Sequence, residues 1–213
     1  MSNYEPIRIR LEFIKQGDLR YIGHLDLQRL IERAMRRSKL PMRYSQGFNP
    51  KVRLNLASAL PLGQESKSEF MDLWLEEMVE PSAVVKTLNQ ALPEGIRVLT
   101  ANLISGKLPS LQDSLRESVF TVQFQSDTDL SRERLESVLA QEQIIITRRN
   151  KIMDMKPLIL NWEWLTPELF EIRLSAIPSA TGRVDELLVA ANIDPATVEI
   201  ERTELIFKES PDE

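Results

Sequence analysis

Histidine occurs once in this chain, at position 24 of the stretch "RYIGHLDLQRLIERAMRRSKLPMRYSQGFNPKVRLNL", between Tyr21 and Asp26. A histidine whose second ring nitrogen is held by a carboxylate can act as a general base. Its place at the start of an expected helix favours a structural role instead, because a helix N-terminus disfavours imidazolium. The denser signal around it is basic. Arg29, Arg33, Arg36 and Arg37 recur at helical spacing on one face, and Arg43, Gln46, Phe48, Asn49, Lys51 and Arg53 follow. Guanidinium and ammonium groups release counterions from phosphates, Asn49-Pro50 favours a fixed turn, and a solvent-facing ring stacks on an unpaired base. The set points to single-stranded RNA. Two other uses compete with that one: helix stabilisation, for instance by Glu32 with Arg36 one turn on, and docking of an acidic protein.

The chain as a whole is acidic, which makes the basic block more informative. Its 213 residues carry a net charge of −5. Residues 1–60 hold 12 Lys and Arg against 5 Asp and Glu, net +7, and the remaining 153 hold 15 against 27, net −12. A basic region in an acidic protein suits a polyanion site whose flanks discourage indiscriminate binding. With no cysteine, disulfides, thiolate zinc sites, cysteine nucleophiles and cysteine-held iron–sulfur clusters are excluded. A single histidine rules out a histidine-rich metal site, and no phosphate-binding glycine loop, dinucleotide motif, HExxH or Ser-His-Asp order is present. No cofactor and no metal are expected. The start "MSNYEPIRIRLEF" lacks the layout of a secretory signal, and no apolar run reaches membrane-spanning length, so a cytoplasmic protein without membrane contact is expected.

The elements that must position these residues follow from periodicity. In "IRIRLEFI" Ile7, Ile9, Leu11 and Phe13 alternate with Arg8, Arg10 and Glu12, the pattern of a half-buried strand. Leu27, Leu30, Ile31, Ala34 and Met35 then form the apolar side of a helix that Pro41 stops. "MRYS", the "QGFNP" turn and "KVRLNLA" come next, then the strand "FMDLWLEE", the helix "PSAVVKTLNQALPEG" and the strand "IRVLTANLI". The order β-α-β-β-α-β predicts an α+β, ferredoxin-like half with helices on one sheet face. Arg8, Arg10, Lys51 and Arg53 would then share the helix-free face.

"SGKLPSLQDS" shows no periodicity and reads as a linker. A second β-α-β-β-α-β series follows, in which "IIITRRNKIMDMKPLI" is a hairpin about Asn150 and Lys151. The expected organisation is therefore two tandem ferredoxin-like (βαββαβ) halves with antiparallel sheets. The basic half covers 1–105, the linker 106–116, the second half 117–208, and an acidic tail 209–213.

The run from "GDLRYIGHLDL" to "FMDLWL" resembles the radical SAM-linked, or radical SAM-associated, protein family, a domain of unknown function fused to or encoded beside a radical SAM protein. The resemblance spans about residues 6–100 and rests on "HLDL", "ERAMRRSKLP", "YSQGFNPK" and "ALPLG"; in the second half it rests on "KIMDMKPLI" and "GRVDELL". It implies a radical SAM partner, in trans or as a fusion. Because that family's partner sits near genes for ribonuclease E/G and ribosomal proteins, it also implies RNA or ribosome metabolism, with ribonuclease E/G as a further candidate partner. The basic helix and "SQGFNP" loop resemble more loosely the ferredoxin-like CRISPR repeat-processing endoribonucleases, which would make His24 a metal-independent general base. No equally clear tyrosine or lysine partner accompanies it.

Radical SAM enzymes hold their cluster with three cysteines, so this chain is expected to be an accessory rather than the catalyst. The expectation is a non-catalytic RNA-binding module. The alternatives are a protein-interaction adaptor and an endoribonuclease using His24.

Overall fold

The computed structural model describes residues 6–106, 108–126 and 128–208, and the expected acidic tail at 209–213 lies outside the described residues. The fold is α+β, with five α-helices among the described residues and mostly antiparallel strand pairing. The chain divides into two compact units, Met1–Ser114 and Leu115–Glu213.

The first unit runs β1 (Ile7–Lys15), a 3-10 turn (Gly17–Tyr21), α1 (His24–Ser38), β2 (Leu54–Leu56), β3 (Glu65–Leu75), α2 (Pro81–Ala91), β4 (Ile96–Ile104) and the short α3 (Leu111–Ser114). Its strands lie in the order β4-β1-β3-β2, each neighbour antiparallel. The alternation in β1 has a direct consequence. Ile9, Leu11 and Phe13 are buried in one cluster with Leu27, Ile31 and Met35 of α1, Val84 and Leu88 of α2, and Met71, Leu73 and Leu75 of β3. Apolar area withdrawn from water on this face is the main stabilisation of the unit. Pro81 opens α2, and Pro93 ends it just beyond Ala91. Gly95 follows at φ +90°, where any Cβ would lie 2.6 Å from the Gln16 carbonyl oxygen, so the turn into β4 requires glycine.

The second unit runs β5 (Leu115–Phe124), α4 (Thr128–Leu139), β6 (Ile145–Arg148), β7 (Lys151–Asp154), β8 (Ile159–Trp164), β9 (Leu169–Ile177), β10 (Ala180–Thr181), α5 (Val184–Ala190) and β11 (Val198–Phe207). Its sheet order is β11-β5-β9-β8, with β10 also on β9. The expected hairpin exists as β6–β7, turning on Arg149 and Asn150, but it forms its own two-stranded sheet. The strand beside β9 is instead β8, "ILNWEW".

The linker expected at 106–116 is corrected by the packing. Residues 108–114 lie on the first unit: Leu111 is fully buried, the Leu108 and Pro109 carbonyls accept from Arg8 at 2.9 and 2.8 Å, and Gln112 donates to the Leu56 carbonyl. A single apolar residue with no periodic companions anchors this strap, which is why the sequence pattern did not reveal it. β5 then begins at Leu115 with no intervening loop.

Candidate nucleic-acid interface

The helix-free face of the first unit's sheet is not an open basic platform. The strand register sets Arg10 opposite Asp72 and Arg8 opposite Trp74. Asp72 is wholly buried and accepts from both arginines: from Arg8 Nε at 2.9 Å and also its terminal nitrogen, and from Arg10 Nε at 2.9 Å. Arg8 further holds the strap at 108–109. Both cations are engaged within the fold, sharing the one carboxylate. Trp74, also buried, has the Arg53 guanidinium 4.5 Å and that of Arg8 5.6 Å from its ring centre. A ring so buried is not a stacking platform for a base. The four-cation sheet surface expected from strand parity is thus reduced by Arg8 and Arg10.

The edge of β3 builds the next feature. The backbone N–H of Arg43 donates to the Trp74 carbonyl at 2.8 Å, and that of Trp74 donates to the Arg53 carbonyl at 3.3 Å. Arg43 and Arg53 are joined by an N–H···O bond of 2.8 Å, and Tyr44 bridges to Val52. Residues 44–52 therefore leave the sheet edge as a narrow loop. Its neck is closed by the Ser45 N–H on the Lys51 carbonyl at 2.8 Å and the Lys51 N–H on Ser45 Oγ at 3.0 Å. Everything from Gln46 to Pro50 is exposed, and Phe48, at 107% of its reference area, is fully open to solvent. Lys51 is exposed with no acidic partner among the described residues. Arg43 reaches Glu76 at 3.8 Å.

On α1 the four arginines do share an exposed face, yet their commitments differ. Arg29 pairs with Asp26 at 3.2 Å, a solvent-exposed contact of little energetic weight. Arg37 donates to the Ala91 carbonyl at 2.7 Å, tying α1 to the end of α2. Arg33 bonds only its own helix, at the Arg29 carbonyl, 3.3 Å away. Glu32 accepts from Gln28 at 3.1 Å rather than from Arg36, so the expected Glu32–Arg36 pair is replaced and Arg36 has no acidic partner among the described residues. Lys39, which the sequence reading passed over, closes the helix at φ 58° and is exposed. Its signal was available: a cation directly after the last helical turn and before Leu-Pro.

His24 is the first residue of α1, half-buried, with no hydrogen bond or ion pair to its ring among the described residues. The nearby Asp26 is taken by Arg29. Among the described residues no carboxylate holds a second ring nitrogen, and no hydrogen-bonded group is placed to share a proton. Around it the sequence reading missed an exposed apolar set: Tyr21 at 62%, Leu25 at 66% and Leu62 at 64%, with the Arg20 guanidinium 5.0 Å from the Tyr21 ring centre. The Gly63 N–H donates to the Arg20 carbonyl at 2.9 Å, which brings the "ALPLG" segment to the 3-10 turn.

The second unit gathers its charges into structural contacts. Arg148 forks onto both oxygens of Glu186 and donates to the Thr181 carbonyl at 2.8 Å, fastening the β6–β7 hairpin to α5. Burial pushes the neighbouring Asp185 carboxyl above the ordinary aspartate range, against the pull of a backbone N–H and of Arg183 and Arg148. Among the described residues no three His, Asp or Glu side chains converge to hold a metal ion, and no helix is long and apolar enough to cross a membrane.

Residues 8–191 match the model of DUF2344, described as an uncharacterized protein conserved in bacteria, and the chain belongs to that family. No curated protein matches it. A solved structure described as that of an unknown protein from Galdieria sulphuraria aligns over 95% of this chain and 99% of that one, at 13% identity and a TM-score of 0.30, a likeness too slight to bear on fold or function.

Proposed function

We propose that this DUF2344 protein is a non-catalytic, RNA-binding accessory module of two tandem ferredoxin-like units, acting in the cytoplasm beside a radical SAM partner. The strand order β4-β1-β3-β2 around α1 and α2 supports the architectural part for the first unit. The order β11-β5-β9-β8 supports it for the second, with β6–β7 read as an insertion.

One observation carries the RNA reading. Among the described residues Arg33, Arg36, Lys39 and Lys51 are exposed without acidic partners in a stretch of net positive charge, while Arg8, Arg10 and Arg37 are engaged by the fold. Unpaired cations that the fold does not use are what phosphate recognition requires. The test is binding of a labelled single-stranded RNA at several salt concentrations. Log affinity should fall linearly with log salt, and a variant lacking Arg33, Arg36 and Lys51 should show a shallower slope by about 2, at roughly 0.7 per lost contact. Weak, salt-insensitive binding by the wild type would defeat the reading.

The exposed set Tyr21, Leu25 and Leu62 favours a second reading, an adaptor for a radical SAM protein or ribonuclease E/G. Replacing Tyr21 and Leu25 by Ser should then abolish capture of the purified partner in the presence of nuclease, with RNA affinity unchanged.

A further inference from the structure

We infer that the Ser45–Lys51 loop recognises one unpaired adenine. This rests on the RNA reading above and assigns that site its base preference. Three observations meet in the loop.

The first is its preorganisation. Two hydrogen bonds between Ser45 and Lys51 close the neck, Pro50 limits one arm, and Gly47 sits at φ +129°. A Cβ at Gly47 would meet nothing within 4 Å, so glycine is needed there for the backbone path and not for space. A loop already shaped loses little freedom when it binds.

The second is the exposure of Phe48. Of the other aromatic rings of this neighbourhood, Trp74 is buried beside Arg8 and Arg53, and Tyr44, paired with Val52 at the foot of the loop, is 40% exposed against the full exposure of Phe48. The ring at the tip is the most open platform and takes one base, which can reach it only when it is out of a helical stack.

The third is the chemistry on either side of the ring. Gln46 and Asn49 are exposed amides, and no charged side chain stands between Ser45 and Lys51. An amide offers one acceptor and a donor together, the complement of the adenine N6 amino group and N7. Guanine O6 and N7 ask for two donors, as from arginine, and the cytosine amino group asks for a carboxylate. The loop tip supplies neither.

The experiment uses the full chain and 12-nucleotide oligouridine RNAs carrying one central A, C, G, U or abasic position, read by fluorescence anisotropy at two salt concentrations. The oligonucleotide with A should bind about tenfold more tightly than the abasic one, and more tightly than the other three. Phe48→Ala should bring all five to the abasic affinity with the salt slope unchanged. Gln46→Ala and Asn49→Ala should each erase the preference for A while leaving the U oligonucleotide within a few-fold of wild type. Equal, salt-dependent binding of all five overturns the adenine proposal and leaves RNA binding standing, as does preference for another base. Absence of salt-dependent binding to any of them removes both. Phe48→Ala is fully exposed and should fold as wild type, which circular dichroism checks.

Discussion

The Arg8 guanidinium donates from Nε to Asp72 Oδ2 at 2.9 Å, on a face where the carboxylate has no contact with solvent. Arg10 donates from Nε to Oδ1, and the terminal nitrogens of Arg8 also donate to the carbonyls of Leu108 and Pro109. One acidic residue thereby engages both arginines of a nominally open sheet, and Arg8 holds the strap as well. Asp72→Asn would leave two guanidinium groups beside each other without their counter-charge. A loss of about 3 kcal/mol in urea unfolding is expected, with RNA affinity changed less than threefold. A rise in affinity at unaltered stability would show that this face meets RNA after all.

The arginines of α1 should divide in the same manner. Arg36→Ala removes an unpartnered surface cation and should reduce the salt slope of RNA binding by ~0.7 with stability unchanged. Arg37→Ala breaks the bond to Ala91 and should lower stability by ~1 kcal/mol. Parallel salt titrations and urea melts separate the two; identical behaviour of the variants would contradict the assignment.

Much of this arrangement was legible in the chain, and what was not has definite causes. The alternation of Ile7 to Phe13 and the apolar stripe Leu27, Ile31, Met35 are local patterns, so β1 and α1 could be read directly. The exposure of Phe48 followed from the Gly and Pro around it. The partnership of Arg8 and Arg10 with Asp72 depends on cross-strand register, which links residues more than sixty positions apart. The strap at 108–114 is held by one leucine and by carbonyls, and carbonyls leave no trace in a sequence. β8 was missed although Leu160, Trp162 and Trp164 alternate with Asn161 and Glu163, because the longer apolar run before it drew the strand assignment to the hairpin.

Leu111 gives a direct test of the strap. Its side chain is fully buried, and truncation should leave a cavity against the first unit's sheet. Leu111→Ala is expected to lower stability by about 2 to 4 kcal/mol and to make residues 108–114 a site of limited proteolysis. A free linker would tolerate the change without either effect.

His24→Ala should leave RNA affinity within a few-fold and remove no activity. The ring has no carboxylate or other polar partner among the described residues, and Asp26 is engaged by Arg29. Incubation of labelled RNA in chelator checks the point. Cleavage by the wild type that vanishes in this variant would make the protein a metal-independent endoribonuclease.

Asp185 gives the fold a dependence on pH whose sign can be worked out. Burial first, and then the charge of Glu186, raise its carboxyl above the ordinary aspartate value, while a backbone N–H and the cations Arg183 and Arg148 act the other way. One of its oxygens is buried without a hydrogen-bond partner among the described residues. The protonated form is therefore favoured by folding relative to the unfolded chain. Its contribution is fully present below the unfolded pKa of about 4 and is lost as pH rises through the higher folded value. Asp185→Asn keeps the shape and removes the charge. It should be more stable than the wild type at pH 7, with the difference closing as pH falls toward 4. Urea melts of the two proteins across that range check the sign, and a variant less stable than wild type at pH 7 would mean that the charged carboxylate is held by contacts stronger than its desolvation.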